Sequence, residues 1–155
     1  MRVTIDTVIP AAAETVWRHL LTPALLDHVA WPLLVFQPRD PPAKPAVWRE
    51  GDYHVAMRAF GLLPLGTQRV GIRILEAEAW PRVLRDDGGG TLVRVWRHDI
   101  RIEPLAANST RYRDTVEIAA GPLTPLIWLY AQLFYRWRQH RWRQLARTGY
   151  RALSR

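Results

Sequence analysis

The chain has 155 residues, of which 48% are hydrophobic, with eight tryptophans and no cysteine. That is the length of one domain with apolar surface enough for a sizeable core, and it excludes disulfides, thiol chemistry and cysteine-bound zinc. The net charge is +8, but residues 136–155 hold seven arginines and no acid, so the body is near neutral and the basicity belongs to one terminal element.

Met1 leads directly into a strand-like run over residues 3–9, with no secretory leader pattern. No apolar stretch is long enough to span a bilayer, so a soluble, cytoplasmic protein is expected. Pro10 opens a helix whose apolar stripe is Val16, Trp17, Leu20 and Leu21. Thr22 is a fitting N-cap for a second short helix carrying Leu25, Leu26 and Val29. Residues 33–36 suit a short edge strand, and the four prolines of residues 38–46 imply a loop.

Residues 48–60 read as a strand with Tyr53, Val55 and Met57 on one face. After a turn at 61–66, residues 67–79 alternate, with Gln68, Val70, Ile72 and Ile74 sharing a face. Residues 82–85 form a short strand, and Asp86-Asp87-Gly88-Gly89-Gly90 reads as a hairpin turn. No helix follows those glycines, so they are not a phosphate cradle. Two further strands, 92–102 and 110–119, flank a loop at 103–109 that holds Pro104 and Asn108. Gly121-Pro122 ends the sheet, and residues 123 to about 153 form one long helix. There is no internal repeat and no second domain; residues 1–155 are one unit.

This order predicts an α+β fold of six or seven antiparallel strands covered by the C-terminal helix. A curved sheet around one helix cannot pack tightly along its whole length and tends to leave a cavity.

The last hairpin carries the most chemistry. Trp96, His98, Ile100 and Ile102 share one face, and Tyr112, Asp114, Val116 and Ile118 share the facing one. His98 and Asp114 therefore interrupt an apolar inner surface. In a register that sets them directly opposite, they lie within side-chain reach. Three readings are open: a structural hydrogen bond, orientation of a ligand's polar group, or a general base with its carboxylate. Tyr112, Tyr53 and Gln68 could add polar contacts to walls of Met57, Val70, Ile72 and Trp96, with Tyr130 and Phe134 from the helix. Of the remaining four histidines, His19 and His54 are expected at the surface and His28 lies near a helix end; none of these three is a site candidate.

The chain resembles the START and Bet v 1-like (SRPBCC) superfamily over nearly its whole length. Residues 8–17 are similar to that family's "I-x-A-P-x-E-x-V-W" helix start, with Pro10 and Ala11 permuted. Trp96, His98, Thr110, Asp114 and Val116 are similar to a "W-x-H-x-h…T-x-x-x-D-x-V" pattern; Ile100 stands where the pattern has an aromatic residue or second histidine. The resemblance implies a helix-grip fold with a hydrophobic ligand cavity, no cofactor, and either passive binding of a lipid-, polyketide- or aromatic-like molecule or cyclase/dehydratase-like chemistry by His98 and Asp114. No metal site is expected.

The C-terminal helix is almost wholly apolar from Leu123 to Tyr135. One face (Leu126, Leu129 or Tyr130, Leu133, Trp137) is expected to cover the sheet, leaving Trp128, Ala131 and Tyr135 for the short helices or a homodimer partner. Its second half, residues 136–143, mixes Arg and Trp, which suits an anionic membrane surface better than nucleic acid, for which the body has no second basic patch.

Overall fold

The computed structural model describes residues 1–40 and 43–153. Pro41 and Pro42 of the expected loop, and Arg155 of the basic tail, lie outside the described residues.

Strand β1 (Arg2–Ile9) leads into helices α1 (Ala13–Leu20) and α2 (Pro23–Ala30), followed by β2 (Leu34–Asp40), β3 (Gly51–Ala59), β4 (Leu63–Glu76), β5 (Arg82–Gly90), β6 (Val95–Ala106), β7 (Ser109–Ala119) and α3 (Thr124–Arg147). The strands form one antiparallel sheet in the order β1-β7-β6-β5-β4-β3-β2. This is the helix-grip architecture: a seven-stranded meander, its first strand returned to the far edge, around a long helix. The Thr22 hydroxyl caps α2 by accepting from the Leu25 amide at 3.3 Å, which satisfies one of the helix's free N–H groups.

Several element bounds differ from the sequence reading. β2 runs through Pro38 to Asp40, because an edge strand tolerates a residue that lacks an amide proton. β6 runs through Pro104 to Ala106, so the expected seven-residue loop shrinks to a tight turn at Ala107-Asn108. The long helix ends at Arg147, with short 3-10 turns at Gly121–Leu123 and Arg151–Leu153.

The largest difference is at residues 86–90, which are strand and not turn. Glycine here permits close approach of neighbouring backbone. A Cβ on Gly88 would lie 2.6 Å from the Arg69 carbonyl oxygen, and one on Gly90 would lie 2.2 Å from that of Thr67. The glycines thus serve strand pairing with β4.

The helix also presents a different face from the expected one. Ala131, Phe134, Tyr135, Arg138, Gln139, Trp142, Leu145 and Ala146 are buried, while Leu126, Leu129 and Leu133 are exposed. The buried stripe keeps a helical period but has two polar members in its middle, so hydrophobicity alone selects the wrong face. α3 approaches β1, β7 and α2 closely and stands off β3 to β5. The space left on that side is the cavity.

Candidate functional site

A cavity of about 430 Å³ lies between the sheet and α3. Its walls are mainly apolar: Phe36 of β2, Met57 of β3, Val70 and Ile72 of β4, Leu84 of β5, Ile100 of β6, and Ile127 and Phe134 of α3. Side chains with polar groups also border it, among them Gln68, Asp86, His98, Tyr130, Tyr135 and Arg138.

The period-two pattern of β6 places His98 inward, and the 3-to-4 spacing of α3 places Phe134, Tyr135 and Arg138 on one face. The His98 ring packs edge-on against Tyr135, with centroids 4.8 Å apart. Asp114 lies behind this wall, fully buried where α3 seals β7. Its Oδ1 accepts from His98 Nε2 at 2.7 Å and from the Tyr112 hydroxyl at 2.6 Å. Its Oδ2 accepts from Gln139 Nε2 at 2.9 Å. The register makes the His98 contact diagonal: His98 stands opposite Val116, and Asp114 opposite Ile100. The side chains still meet, since diagonal neighbours on one sheet face remain within reach of long side chains.

The protonation states follow from these contacts. Burial pushes the His98 pKa down, more strongly than the Asp114 hydrogen bond and charge pull it up. Burial also pushes Asp114 up, but the Arg138 charge and the bonds from His98 and Tyr112 hold it below the usual carboxylate value. The pair is therefore a neutral imidazole donating to a carboxylate. A carboxylate only accepts, so Nε2 carries the proton and Nδ1 keeps its lone pair. Asp86 differs. Burial raises it to about 7, against the Gly71 amide, which donates to its Oδ1 at 2.8 Å, and the Arg138 charge. Its side chain is half-buried, and what remains open borders the cavity.

Of the expected ligand contacts, Met57, Gln68, Val70, Ile72, Trp96, His98, Tyr130 and Phe134 line the cavity. Tyr53, Tyr112 and Asp114 do not. Tyr53 packs edge-on against Trp48 and bonds the Arg49 backbone. Tyr112 is sealed against Trp142, with ring centroids 4.6 Å apart, because α3 lies directly over β7. The sequence reading missed Asp86, Tyr135 and Arg138. Asp86 continues the inward alternation of Leu84, and Arg138 continues the stripe Ala131, Phe134, Tyr135. Each was legible as a polar interruption of an apolar face, as His98 was.

The Arg/Trp segment does not form one basic surface. Arg138 and Trp142 are buried, Trp137 donates from its indole to the Trp31 carbonyl, and Arg141 donates to the His28 carbonyl. His19 is half-buried and stacks on Tyr150 at 3.9 Å rather than facing solvent alone. Among the described residues no cluster of His, Asp or Glu is placed to hold a metal ion, and no helix is long and apolar enough to cross a membrane.

A curved antiparallel sheet gripping one long helix around an apolar cavity is a fold this chain shares with solved structures. Three solved structures share the fold. An aromatase/cyclase from a Streptomyces species aligns with a TM-score of 0.69 and 14% identity, over 98% of this chain and 96% of that one. A START superfamily protein from Mycobacterium smegmatis gives 0.63 and 13%, over 95% of this chain and 97% of that one. Norcoclaurine synthase from Thalictrum flavum, in complex with dopamine and hydroxybenzaldehyde, gives 0.64 and 13%, over 94% and 85%. Within that fold the chain belongs to a domain family of unknown function, DUF8410, which matches residues 7–148. No curated protein matches it.

Proposed function

We propose that the protein binds a small hydrophobic molecule in the cavity between the sheet and α3. The observation that carries this reading is the cavity itself, about 430 Å³ with walls mainly of aliphatic and aromatic side chains and a few polar groups among them. That size and lining suit small-molecule sites. The neutral fluorophore N-phenyl-1-naphthylamine tests the reading. It should bind with a blue-shifted, enhanced emission, and Ile72→Trp, which fills the cavity from β4, should weaken it at least tenfold. A fluorophore that does not bind, or that binds the filled variant equally well, overturns the reading.

A second reading is favoured by the state of His98. A neutral imidazole with a free Nδ1 lone pair and a carboxylate on Nε2 is suited to take a proton from a carbon next to a carbonyl, the step that opens a cyclisation or dehydration. In this reading His98 is the base and Asp114 its positioning residue. The two readings separate on His98→Ala. A passive binder keeps its ligand with reduced affinity, whereas an enzyme binds and no longer turns over. The homodimer reading also belongs here: the proposed contact is the exposed leucine face of α3.

A further inference from the structure

Arg138 is 5% exposed, yet its Nε has no hydrogen-bond partner among the described residues. The Asp114 and Asp86 carboxyls act on it through space, and neither makes an ion pair with it. Its one close aromatic contact is the Tyr135 ring, 5.7 Å from the guanidinium carbon. Arg82 and Arg141 share the unpartnered Nε, but both use their terminal nitrogens, Arg82 on Glu14 at 3.0 and 2.9 Å and Arg141 on the His28 carbonyl at 3.1 Å, and Arg85 grips Asp99 with two bonds of 2.6 and 2.8 Å. A guanidinium offers five donors, and leaving them idle in an apolar surround is costly. Arg138 borders the cavity, so the missing acceptor can come from a ligand.

We infer that the cavity takes an amphiphilic carboxylate, its acid group held by the Arg138 guanidinium and its apolar body against the walls of β2 to β5. This rests on the cavity being a ligand site, and it adds the ligand's charge and the residue that reads it. The planar fork of the guanidinium matches a carboxylate bidentately. Gln68 of β4 and Tyr135 of α3 also border the cavity, where each can add a hydrogen bond. The cavity holds about fourteen water volumes, which suits a medium-chain fatty acid or an aromatic acid of a few rings. Asp114 remains occupied by His98, Tyr112 and Gln139 and does not compete for the fork.

The experiment displaces bound N-phenyl-1-naphthylamine with dodecanoate and, separately, with 1-dodecanol near pH 6, where the fatty acid is ionised and Asp86 protonated. Charge-assisted bonds predict at least a tenfold preference for dodecanoate. Arg138→Gln should bring that ratio to about one, and Arg138→Lys should retain part of it. In the unaltered protein, dodecanoate labelled with carbon-13 at its carboxyl should titrate below the free acid, because Arg138 favours the anion; an apolar site without a cation would raise it. This measurement stands even where Arg138→Gln fails to fold. Equal displacement, a raised carboxyl pKa, or a ratio that survives Arg138→Gln each overturns the inference and leaves the cavity reading intact. If neither fluorophore nor amphiphile binds, both fail.

Discussion

Asp86 of β5 is the register partner of His98 of β6, so a carboxyl and an imidazole stand side by side on the cavity wall. Burial pushes them toward the same condition by opposite routes, Asp86 up to about 7 and His98 down. Near neutral pH Asp86 is about half protonated and His98 is neutral, so one member can give a proton and the other take one. Environments that separate acid and base in this way are what proton-transfer sites use. The fixed charges at this side of the cavity are then Arg138 and Asp114.

Asp86 makes stability fall with rising pH. The unfolded chain releases this proton near 3.8, the folded chain near 7. Between those values the folded state holds the proton more tightly, so stability declines as pH rises through the window and levels off above it. The ceiling on the loss is on the order of 4 kcal/mol, reduced by whatever water enters the cavity. Asp86→Asn keeps an acceptor for the Gly71 amide and removes the titration. Urea unfolding near pH 5 and pH 8 should show the variant more stable at the higher pH and its slope flattened. An unchanged slope would mean that Asp86 ionises normally.

Asp114 works in the other direction. Its folded pKa lies below the ordinary value, so its contribution is complete above about 4 and is lost as pH falls through the folded value. The carboxylate collects three donors and faces the Arg138 charge. Asp114→Asn replaces one of the two acceptor oxygens by an NH2 donor, so the network must rearrange, and removes the carboxylate charge that faces Arg138. A cost of about 3 kcal/mol or more is expected, read as a drop in urea midpoint. A loss under about 1 kcal/mol would show that the network adds little to the fold.

Period-two alternation and helical spacing were enough to read the order of elements along the chain, the covering helix and the inward position of His98 and Asp114, though not the pairing of β1 with β7. Two things were not readable that way. Asp86 sits in a run, Asp-Asp-Gly-Gly-Gly, whose local chemistry says turn, and only pairing with β4 and β6 keeps it extended. The orientation of α3 was misread because Leu126, Leu129 and Leu133 outscore Arg138 and Gln139 in hydrophobicity. A buried arginine depends on what faces it across the fold, here the Asp114 carboxylate of β7, which helical periodicity does not contain.

Gly90 should be intolerant of any side chain. A Cβ there would meet the Thr67 carbonyl oxygen at 2.2 Å and the Gln68 side-chain oxygen at 2.7 Å. The first neighbour is backbone of a paired strand and cannot swing away. Gly90→Ala is expected to cost about 2 kcal/mol or more, whereas Gly149→Ala, whose Cβ would meet nothing, is strained only by its φ of 63°, worth about 1 kcal/mol. Thermal melts of the two variants compare them directly. A Gly90→Ala protein as stable as Gly149→Ala would mean that β4 and β5 are not paired as described.

Leu129 and Leu133 are 54% and 62% exposed, one turn apart on α3, with Leu126 a further turn back at the cavity rim. A line of exposed leucines on one helix face is rare on a chain that stays alone in solution. Their replacement removes no buried contact, so Leu129→Gln with Leu133→Gln should change stability by no more than about 0.5 kcal/mol per site. It should also leave fluorophore binding intact, because neither residue lines the cavity. Sedimentation equilibrium distinguishes the uses of this face. If two copies pack through it, the unaltered chain associates as concentration rises and the double variant stays monomeric. If both sediment as monomers at the highest concentration reached, the leucine face is not a self-association surface, and the homodimer reading falls.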